Sequence, residues 1–259
     1  MSQMCQSILP AKKGQPPAHA ATFSYDFEHG HTVVEHSHPE DQLLFASSGV
    51  MTVRTKQGIW VVPPLRAVWI PAQVPHSLAM SGAVSMRTIY FAPKLARGLR
   101  DRCFVMNVSA LLRELLIHAC KFPRLSKRVP EERRIIGMIV DQLSAAGSIP
   151  LQLPQPSDAR AARIVRALVA DPSEQKTLER YCRDSGASKR TVQRLFVAET
   201  GMTFEKWRQQ LRLLCAMERL ALGQKVVGVA LDCGYESASA FISMFRKQLG
   251  ATPGRYFKS

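Results

Sequence analysis

The pattern of apolar and polar residues changes its character along the chain. Between residues 22 and 93, short apolar runs alternate with glycine and proline. Short strands at near-regular spacing, separated by such turns, are typical of an all-β barrel or sandwich. The pattern therefore predicts a small all-β domain in this part of the chain. The runs lie at residues 42–45, 50–53, 59–62, 67–70 and 86–91.

After Pro93 the apolar residues follow a helical spacing. Residues 109–122 and 131–146 each carry leucine, isoleucine or valine along one predicted helix face. Two amphipathic helices need a surface against which to bury their apolar faces. Packing against the barrel and a dimer interface would both provide one, and the sequence leaves the two alternatives open.

A proline-rich segment, GSIPLQLPQPS at 147–157, interrupts the helical pattern and predicts a linker between two domains. Beyond it the chain is helical throughout, and at the other end residues 1–21 show no periodicity and predict a flexible tail. The predicted fold is a two-domain α+β protein. Its parts are the tail at 1–21, a β-barrel at 22–93, a helical extension at 94–146, the linker at 147–157 and an all-α domain at 158–259.

Two helix-turn-helix patterns occur in the predicted all-α domain, at 178–199 and 226–249. In each, a short helix ends at a glycine and a serine caps the helix that follows. The glycines are Gly186 and Gly234, and the serines are Ser188 and Ser237. Residues 203–222 between the patterns predict one helix about 30 Å long. Successive major grooves on one face of DNA are about 34 Å apart, so this helix would set two reading helices nearly one turn apart.

The charge of the chain supports a polyanionic partner. Its 35 lysines and arginines against 20 acidic residues give a net charge of +15. Residues 1–93 contribute +1, residues 94–157 contribute +6 and residues 158–259 contribute +8. An excess of this size points to nucleic acid first and an anionic membrane second, and its concentration outside the predicted barrel agrees with DNA binding by the helical domain.

Composition excludes several classes of protein. A chain of 259 residues that is 46% hydrophobic can bury two cores, which argues against wholesale disorder. It contains no run of about 18 apolar residues that would span a membrane, and no apolar stretch near its start resembles a signal peptide. The six scattered cysteines predict a reduced cytoplasmic protein without a disulfide or zinc framework.

The helical domain resembles the AraC/XylS family of transcription regulators in the order and spacing of its motifs over 158–259. The motifs are SKRTVQRLF at 188–196, ETG at 199–201, VA at 229–230, GY at 234–235, Phe241, FRK at 245–247, Gly250, Pro253 and YF at 256–257. The resemblance implies a bacterial regulator, usually an activator, that binds double-stranded promoter DNA. It also implies RNA polymerase as a partner and a homodimer as the working form.

Candidate DNA-contacting residues fall on the second helix of each pair. Arginine suits guanine and glutamine suits adenine by bidentate geometry, and the first reading helix offers both. The resemblance places base contacts on Arg190, Gln193 and Arg194 in the first pair and on Ala238, Ser239, Ala240 and Ser243 in the second. The short side chains of the second set predict weak direct readout there, with phosphate contacts instead. The full predicted set is Ser188, Lys189, Arg190, Gln193, Arg194, Ser237, Ala238, Ser239, Ala240, Ser243, Arg246 and Lys247.

The predicted barrel resembles cupin sensor domains over about 22–93. Its first motif runs from Gly30 through His36, His38 and Gln42 to Gly49, and a second, PAQVPH, ends at His76. Metal-binding cupins place three histidines and a glutamate inside the barrel, but here Gln42 stands where the glutamate would be. The three histidines could still hold a divalent metal. We expect no obligatory cofactor and favour a metal-free pocket for a small effector, lined by His36, His38, Gln42, Trp60, Trp69 and His76.

Three functions fit these patterns. The first is a sequence-specific DNA-binding regulator that responds to a small-molecule effector and is not an enzyme. The second is a metallo-cupin enzyme fused to a DNA-binding domain. The three histidines support this function, and the missing glutamate argues against it. The third is an architectural DNA binder without an effector, in which changes at His36, Gln42 and His76 would leave the promoter response unaltered.

Overall fold

The computed structural model describes residues 18–93, 95–96, 99 and 101–257, and within them the chain divides into two compact units. The first unit takes in the described residues up to Thr55 together with Trp60–Leu151. The second takes in Lys56–Ile59 and the described residues from Gln152 onward. The first is built around a β-sheet and the second is helical.

The first unit contains nine strands and two helices among the described residues. The strands are β1 Ala20–Phe27, β2 Thr32–His36, β3 Asp41–Thr55, β4 Gly58–Val62, β5 Arg66–Ile70, β6 His76–Phe91, β7 Phe104–Asn107, β8 Arg124–Leu125 and β9 Ser148–Ile149. The helices are α1 Ala110–Ala119 and α2 Pro130–Ala145. The first two residues of β4 belong with the second unit. The strand order is β8-β1-β6-β3-β5-β7-β9, with β2 also paired to β6 and β4 to β3.

The register of β3 decides which side chains face the helices. Leu43 lies opposite Ile89 of β6 and Trp69 of β5, and these three side chains belong to one buried cluster with the apolar faces of α1 and α2. Successive side chains of a strand point to opposite faces of the sheet. Gln42, opposite Tyr90, therefore points to the other face. The two helices bury their apolar residues against the sheet, which is one of the two alternatives that the sequence left open.

The structure differs from two of the predicted segments in the first part of the chain. The predicted tail at 1–21 overlaps β1, because Ala20 pairs with Phe91 and Leu125 and is fully buried. The remainder of that tail, 1–17, lies outside the described residues. The predicted helical extension at 94–146 also contains the strands β7 and β8, and β7 extends the sheet beyond β5. Two- to four-residue strands leave too little periodicity in a sequence to be recognised.

The predicted linker at 147–157 is also partly ordered into strands. Its first part forms β9, which pairs with β7, and its second part forms β10 (Gln152–Pro154) in the second unit. Within that unit Leu153 is buried, and the indole Nε1 of Trp207 donates a hydrogen bond of 2.8 Å to the carbonyl of Pro154. Prolines interrupt regular structure locally. A segment with a leucine between its prolines can still pack against the domain, because the leucine side chain becomes buried there.

The second unit is a set of short helices around one long helix. They are α3 Ala159–Ala170, α4 Leu178–Ser185, α5 Lys189–Thr200, α6 Phe204–Ala221, α7 Val226–Asp232, α8 Ala238–Leu249 and α9 Pro253–Tyr256. The side chains of Ser188, Thr203 and Ser237 accept hydrogen bonds from backbone amides in the first turns of α5, α6 and α8, as an N-cap should. At 18 residues, α6 is about 27 Å long. No helix in the described part of the chain is both long and apolar enough to cross a membrane.

Candidate functional site

The N-terminal half of α5 presents a polar face that the core of the second unit holds in place. Val192 and Phe196 of this helix are fully buried, and the Phe196 ring lies 5.4 Å from the ring of Phe204. Packing on that side turns the opposite side of the helix toward solvent. Lys189, Arg190, Gln193 and Arg194 are all exposed there, as their helical spacing predicts.

The four side chains on this face are not equivalent. The Lys189 Nζ donates to the Glu179 carboxylate of α4 at 2.6 Å, so Lys189 is tied to the preceding helix. This contact raises the pKa of Lys189 and lowers the pKa of Glu179, since each charge favours the other. Arg190, Gln193 and Arg194 have no hydrogen-bond partner within the described residues. Three donors are therefore available to an external ligand.

The corresponding face of α8 is built in the same way but carries different side chains. Phe241 and Phe245 are fully buried, with ring centroids 5.6 Å apart. The outward positions are occupied by Ser239, Ala240 and Ser243, while Ala238 is half-buried. These side chains are too short to reach far from the helix, so this face can offer backbone amides and hydroxyl groups but no extended donor.

Arg246 and Lys247 are exposed in the last turn of α8, about 12 Å along the axis from its N-terminus. The partial positive charge at the N-terminus of α8 and the charges of these two side chains therefore lie at opposite ends of the helix. Positive side chains in a last turn also complement the helix dipole, so their position has a structural explanation beside the functional one.

The turn between α7 and α8 is held by Arg212 and Gln175, which the sequence did not single out. Gly234 has a φ of +76°, and a Cβ there would come 2.7 Å from the Arg212 guanidinium of α6. That guanidinium donates to the carbonyls of Pro172 and Glu174, and the Gln175 amide donates to the Gly234 carbonyl at 3.1 Å. Glycine is needed at this turn for its conformation and for this close approach.

In the first unit, three histidines meet where β2 ends and β6 begins. His36 lies opposite His76 in the strand register, and ring nitrogens of His36, His38 and His76 lie within 4.8 Å of one another. Each Nδ1 donates to a nearby backbone carbonyl, at 2.9 Å for His36, 2.7 Å for His38 and 2.8 Å for His76. In a neutral ring this leaves the Nε2 lone pair for a metal or a hydrogen-bond donor, as His36 and His76 can offer it, whereas His38 Nε2 faces the carbonyl oxygen of Gln42.

Burial favours the neutral form of two of these histidines, His38 and His76. Desolvation lowers the pKa of His38, and it lowers the pKa of His76 to about 4. His76 is fully buried, and its Nε2 has no hydrogen-bond partner among the described residues. A buried polar nitrogen without a partner is uncommon in folded proteins and marks a position where an external group could bind.

Gln42 takes part in a network of its own. Its Oε1 accepts from His38 Nε2 at 3.1 Å, and its Nε2 donates to Thr88 Oγ1 at 3.1 Å and to the Tyr90 hydroxyl at 2.8 Å. These contacts orient the His38 ring. Asp41, the nearest acid along the strand, accepts from the Ala72 amide at 2.9 Å and does not belong to the histidine cluster. The cluster therefore has three nitrogen donors and no carboxylate.

The two tryptophans predicted to line the effector pocket have different positions. Trp69 packs against Phe91, with ring centroids 5.6 Å apart, in the cluster that faces α1 and α2. Its prediction as an effector contact is wrong, because its strand position points it away from the face that carries Gln42. Trp60 is buried outside that cluster, and its indole Nε1 has no partner among the described residues.

Two family models match the chain, and their matched ranges overlap at residues 181–204. Residues 23–204 match a family model described as an AraC-like ligand binding domain, and residues 181–259 match a helix-turn-helix domain. The chain is 35% identical over 221 residues to the HTH-type transcriptional regulator NimR of Escherichia coli (strain K12), covering 85% of this chain and 81% of that protein.

Two further relatives are more distant. The chain is 36% identical over 104 residues to the HTH-type transcriptional regulator RipA of Corynebacterium glutamicum, which covers 40% of this chain and 31% of that protein. A solved structure of unsaturated fatty acid bound ToxT from Vibrio cholerae is 13% identical with a TM-score of 0.39, and covers 92% of this chain and 94% of that one.

Proposed function

We propose a mode of action from one premise: the chain belongs to the AraC-type transcriptional regulators, which combine an AraC-like ligand-binding domain with a helix-turn-helix domain. It is a DNA-binding regulator that responds to a small-molecule effector. The mode of action concerns which helices read DNA and where the effector binds.

The pairs α4–α5 and α7–α8 act as two helix-turn-helix motifs, and α6 sets their separation. The length of α6, about 27 Å, supports this role because consecutive major grooves on one face of DNA repeat at about 34 Å. The observation that carries the proposal is the exposed face of α5. Arg190, Gln193 and Arg194 stand there without partners in the described part of the chain, and arginine and glutamine are the side chains that discriminate guanine and adenine in the major groove.

The second motif positions the protein on DNA. The N-terminus of α8, capped by Ser237, can direct its backbone amides at a phosphate, and the exposed Arg246 and Lys247 can neutralise further phosphates. Lys189 and Ser188 act less directly, because one is paired with Glu179 and the other caps α5.

The first unit acts as a cupin-like barrel in which a small effector binds at the histidine cluster without metal. The unpaired Nε2 of buried His76 supports this site, since it would accept a hydrogen bond from the ligand. Trp60 Nε1 is a further unpaired donor, and Gln42 holds His38 in position. The effector then changes DNA binding by favouring one of two arrangements of the protein.

A second candidate for this site is a divalent transition metal held by His36, His38 and His76. The spacing of their ring nitrogens, all within 4.8 Å, favours it. Imidazoles whose Nδ1 donates to a backbone carbonyl are suitable ligands for Zn²⁺, Ni²⁺ or Fe²⁺. His38 would have to exchange its contact with the Gln42 oxygen for the metal. Metal analysis of the purified protein separates the two candidates. Stoichiometric iron or nickel together with turnover of a small organic substrate would contradict the proposal that the protein is a regulator and not an enzyme.

Genome-wide mapping of the DNA that the protein occupies in cells tests the proposal as a whole. We expect discrete promoter sites that share a motif and that lose occupancy in an Arg194→Ala variant. Occupancy without a shared motif would favour an architectural DNA binder instead. The genes beside the sites would indicate the effector class. The proposal also includes two partners, RNA polymerase and a second copy of the chain. It includes a cytoplasmic location, since a regulator of promoters works where transcription takes place.

A further inference from the structure

Two cysteines meet inside the second unit, away from the exposed faces of α5 and α8. Cys215 lies in the middle of α6 and is half-buried, whereas Cys233 is the C-cap of α7 and is fully buried. The residues on either side fix this placement, since the Arg219 side chain of α6 contacts Asp232 and the Arg212 guanidinium of α6 lies against Gly234. The two cysteines are 18 positions apart in the chain, and the packing of α7 on α6 brings them together.

An arginine next to this pair favours the ionised form of one thiol. Arg219 lies one turn after Cys215 on α6, and its Nη1 donates to the Asp232 carboxylate of α7 at 2.8 Å. The Cys233 thiol and the Arg219 guanidinium together lower the pKa of Cys215 to about 7, although Glu218 nearby opposes this. The neighbouring Cys215 and burial both raise the pKa of Cys233.

The other described thiols have different surroundings. Burial raises the pKa of Cys103 to about 12, and it also raises the pKa of Cys120 and of Cys182. Thiolates and not thiols are the reactive form of cysteine, and reactive cysteines combine a cationic neighbour with partial exposure. Cys120 is also half-buried and has Arg87 nearby, but burial outweighs that charge and raises its pKa. Cys215 is the described cysteine whose pKa is lowered, and it lies beside a second cysteine.

We propose that Cys215 and Cys233 form a dithiol that peroxide oxidises to a disulfide, and that this oxidation lowers the affinity of the protein for DNA. Cys215 is the attacking residue because it is half-exposed and faces Arg219. Cys233 is the resolving residue because it is buried against Cys215. The effect on DNA affinity rests on the proposed function of α8, whereas the thiol chemistry does not.

The reaction needs one molecule of hydrogen peroxide or an alkyl hydroperoxide. The Cys215 thiolate attacks a peroxide oxygen, the O–O bond breaks, and the sulfur becomes a sulfenic acid while the leaving hydroxide or alkoxide takes up a proton. Conversion of Cys215 to the sulfenic acid removes the thiolate charge that helps to raise the pKa of Cys233. The Cys233 sulfur then attacks the Cys215 sulfur as it gives up its proton, the S–O bond breaks, and the departing hydroxide takes that proton and leaves as water. Two thiols lose two electrons in total, and the peroxide gains them.

The geometry links this bond to the reading helix. A disulfide brings two sulfur atoms to about 2.05 Å, which is much closer than the separation of two thiols that are not bonded to each other. Cys233 directly precedes Gly234, whose carbonyl and left-handed conformation anchor the turn into α8 through Gln175 and Arg212. Drawing Cys233 toward α6 therefore displaces the turn that positions α8.

Peptide mapping of the full-length protein after treatment with a small excess of hydrogen peroxide tests the chemistry. We expect a disulfide between the tryptic peptides 213–219 and 226–246, and its loss on reduction. Cys233→Ser should stop at a sulfenic acid on Cys215 that dimedone traps, and Arg219→Gln should slow that step about tenfold as the thiolate fraction falls. Cys103→Ser is the matched control and should leave rate and product unchanged. Oxidation of Cys103 at the same rate, or no linked peptide in the wild-type protein, would overturn the proposal.

Affinity for a mapped promoter site, measured before and after oxidation, tests the regulatory part. We expect the disulfide form to bind at least about tenfold more weakly, with recovery after reduction and no change in Cys215→Ser. Unchanged affinity in protein that mapping shows to be fully disulfide-linked would overturn the regulatory part. If the reduced protein showed no preference for the site over random DNA, the proposed function would fail, while the mapping would still decide the thiol chemistry.

Discussion

The helix pairs α4–α5 and α7–α8 are alike in construction and unlike in the surface that they expose. In both, a glycine in the left-handed conformation, Gly186 or Gly234, opens the turn, and a serine caps the second helix. In both, a fully buried phenylalanine fixes that helix to the unit, Phe196 in α5 and Phe241 in α8. Only the outward faces differ, since α5 carries long donors and α8 carries alanine and serine.

This difference teaches that placing a reading helix and reading DNA are separate tasks in this unit. Caps, turns and buried rings place each helix, and the exposed side chains decide what it can recognise. We therefore assign base readout to α5 and positioning on the DNA backbone to α8. Substitution of a buried residue should therefore cost the same free energy of unfolding in either pair. Substitution of an exposed residue should reduce DNA affinity by different amounts in the two pairs.

The largest effects should follow from removing the buried rings. Phe196→Ala and Phe241→Ala should each lower the free energy of unfolding by about 3–5 kcal/mol, because each leaves a cavity in a packed core. Denaturant unfolding followed by circular dichroism measures this. Val197→Ala, at an exposed position of α5, is the control and should change the free energy by less than about 0.5 kcal/mol. A small loss for one ring and a large loss for the other would contradict the shared construction.

Removing one of the long hydrogen-bond donors of α5 should give the next largest effect, a loss of DNA affinity. Arg194→Ala should weaken binding to a mapped site by roughly 1–3 kcal/mol and relax the preference at one base pair, if Arg194 makes a bidentate base contact. Competition binding with single-base variants of the site measures both. Arg133→Ala, at an exposed position of α2 in the first unit, is the matched control. An equal loss on specific and random DNA would mean that Arg194 contacts phosphate only.

The serine caps should have smaller and similar effects on stability. Ser188→Ala and Ser237→Ala should each cost about 1 kcal/mol of unfolding free energy, since each removes a hydrogen bond to the first turn of its helix. Asp at the same positions should restore the stability, because its carboxylate also caps. It should nevertheless weaken DNA binding by repelling phosphate. Recovery of both stability and affinity with Asp would place that cap away from the DNA.

The smallest effect should come from a phosphate contact. Lys247→Ala should weaken binding to all sequences alike and lower the slope of log affinity against log salt by about 1, since one fewer counterion is released. Titrations at several salt concentrations measure the slope. Lys121→Ala in the first unit is the control, and its slope should equal that of the wild type. The same result for Lys247→Ala would remove Lys247 from the interface.

Much of the helical unit could be predicted from the sequence because its signals are local. Ser188, Thr203 and Ser237 cap their helices as serine and threonine do before a helical pattern, and the exposed face of α5 follows from the positions of Val192 and Phe196. These features depend on residues within a few positions of one another, so one sequence contains the information.

The features that the sequence missed depend on pairing between distant segments. Trp69 faces the helices because its strand pairs with β3 in one register, and a shift of one residue would have turned it to the other side. The unpaired nitrogen of His76 and the contact between Cys215 and Cys233 likewise arise only after folding. The sequence showed these residue types but not their neighbours.

The central claim is that α5 reads bases and α8 does not. A complete single-base substitution scan of one mapped site, with affinities measured for wild-type protein, Arg194→Ala and Ser243→Ala, tests it most directly. We predict that the costly substitutions, at about 1–3 kcal/mol each, cluster in one half of the site. Arg194→Ala should abolish at least one of them, and Ser243→Ala should leave all of them unchanged. Equal penalties in both halves, or a penalty that disappears with Ser243→Ala, would contradict the claim.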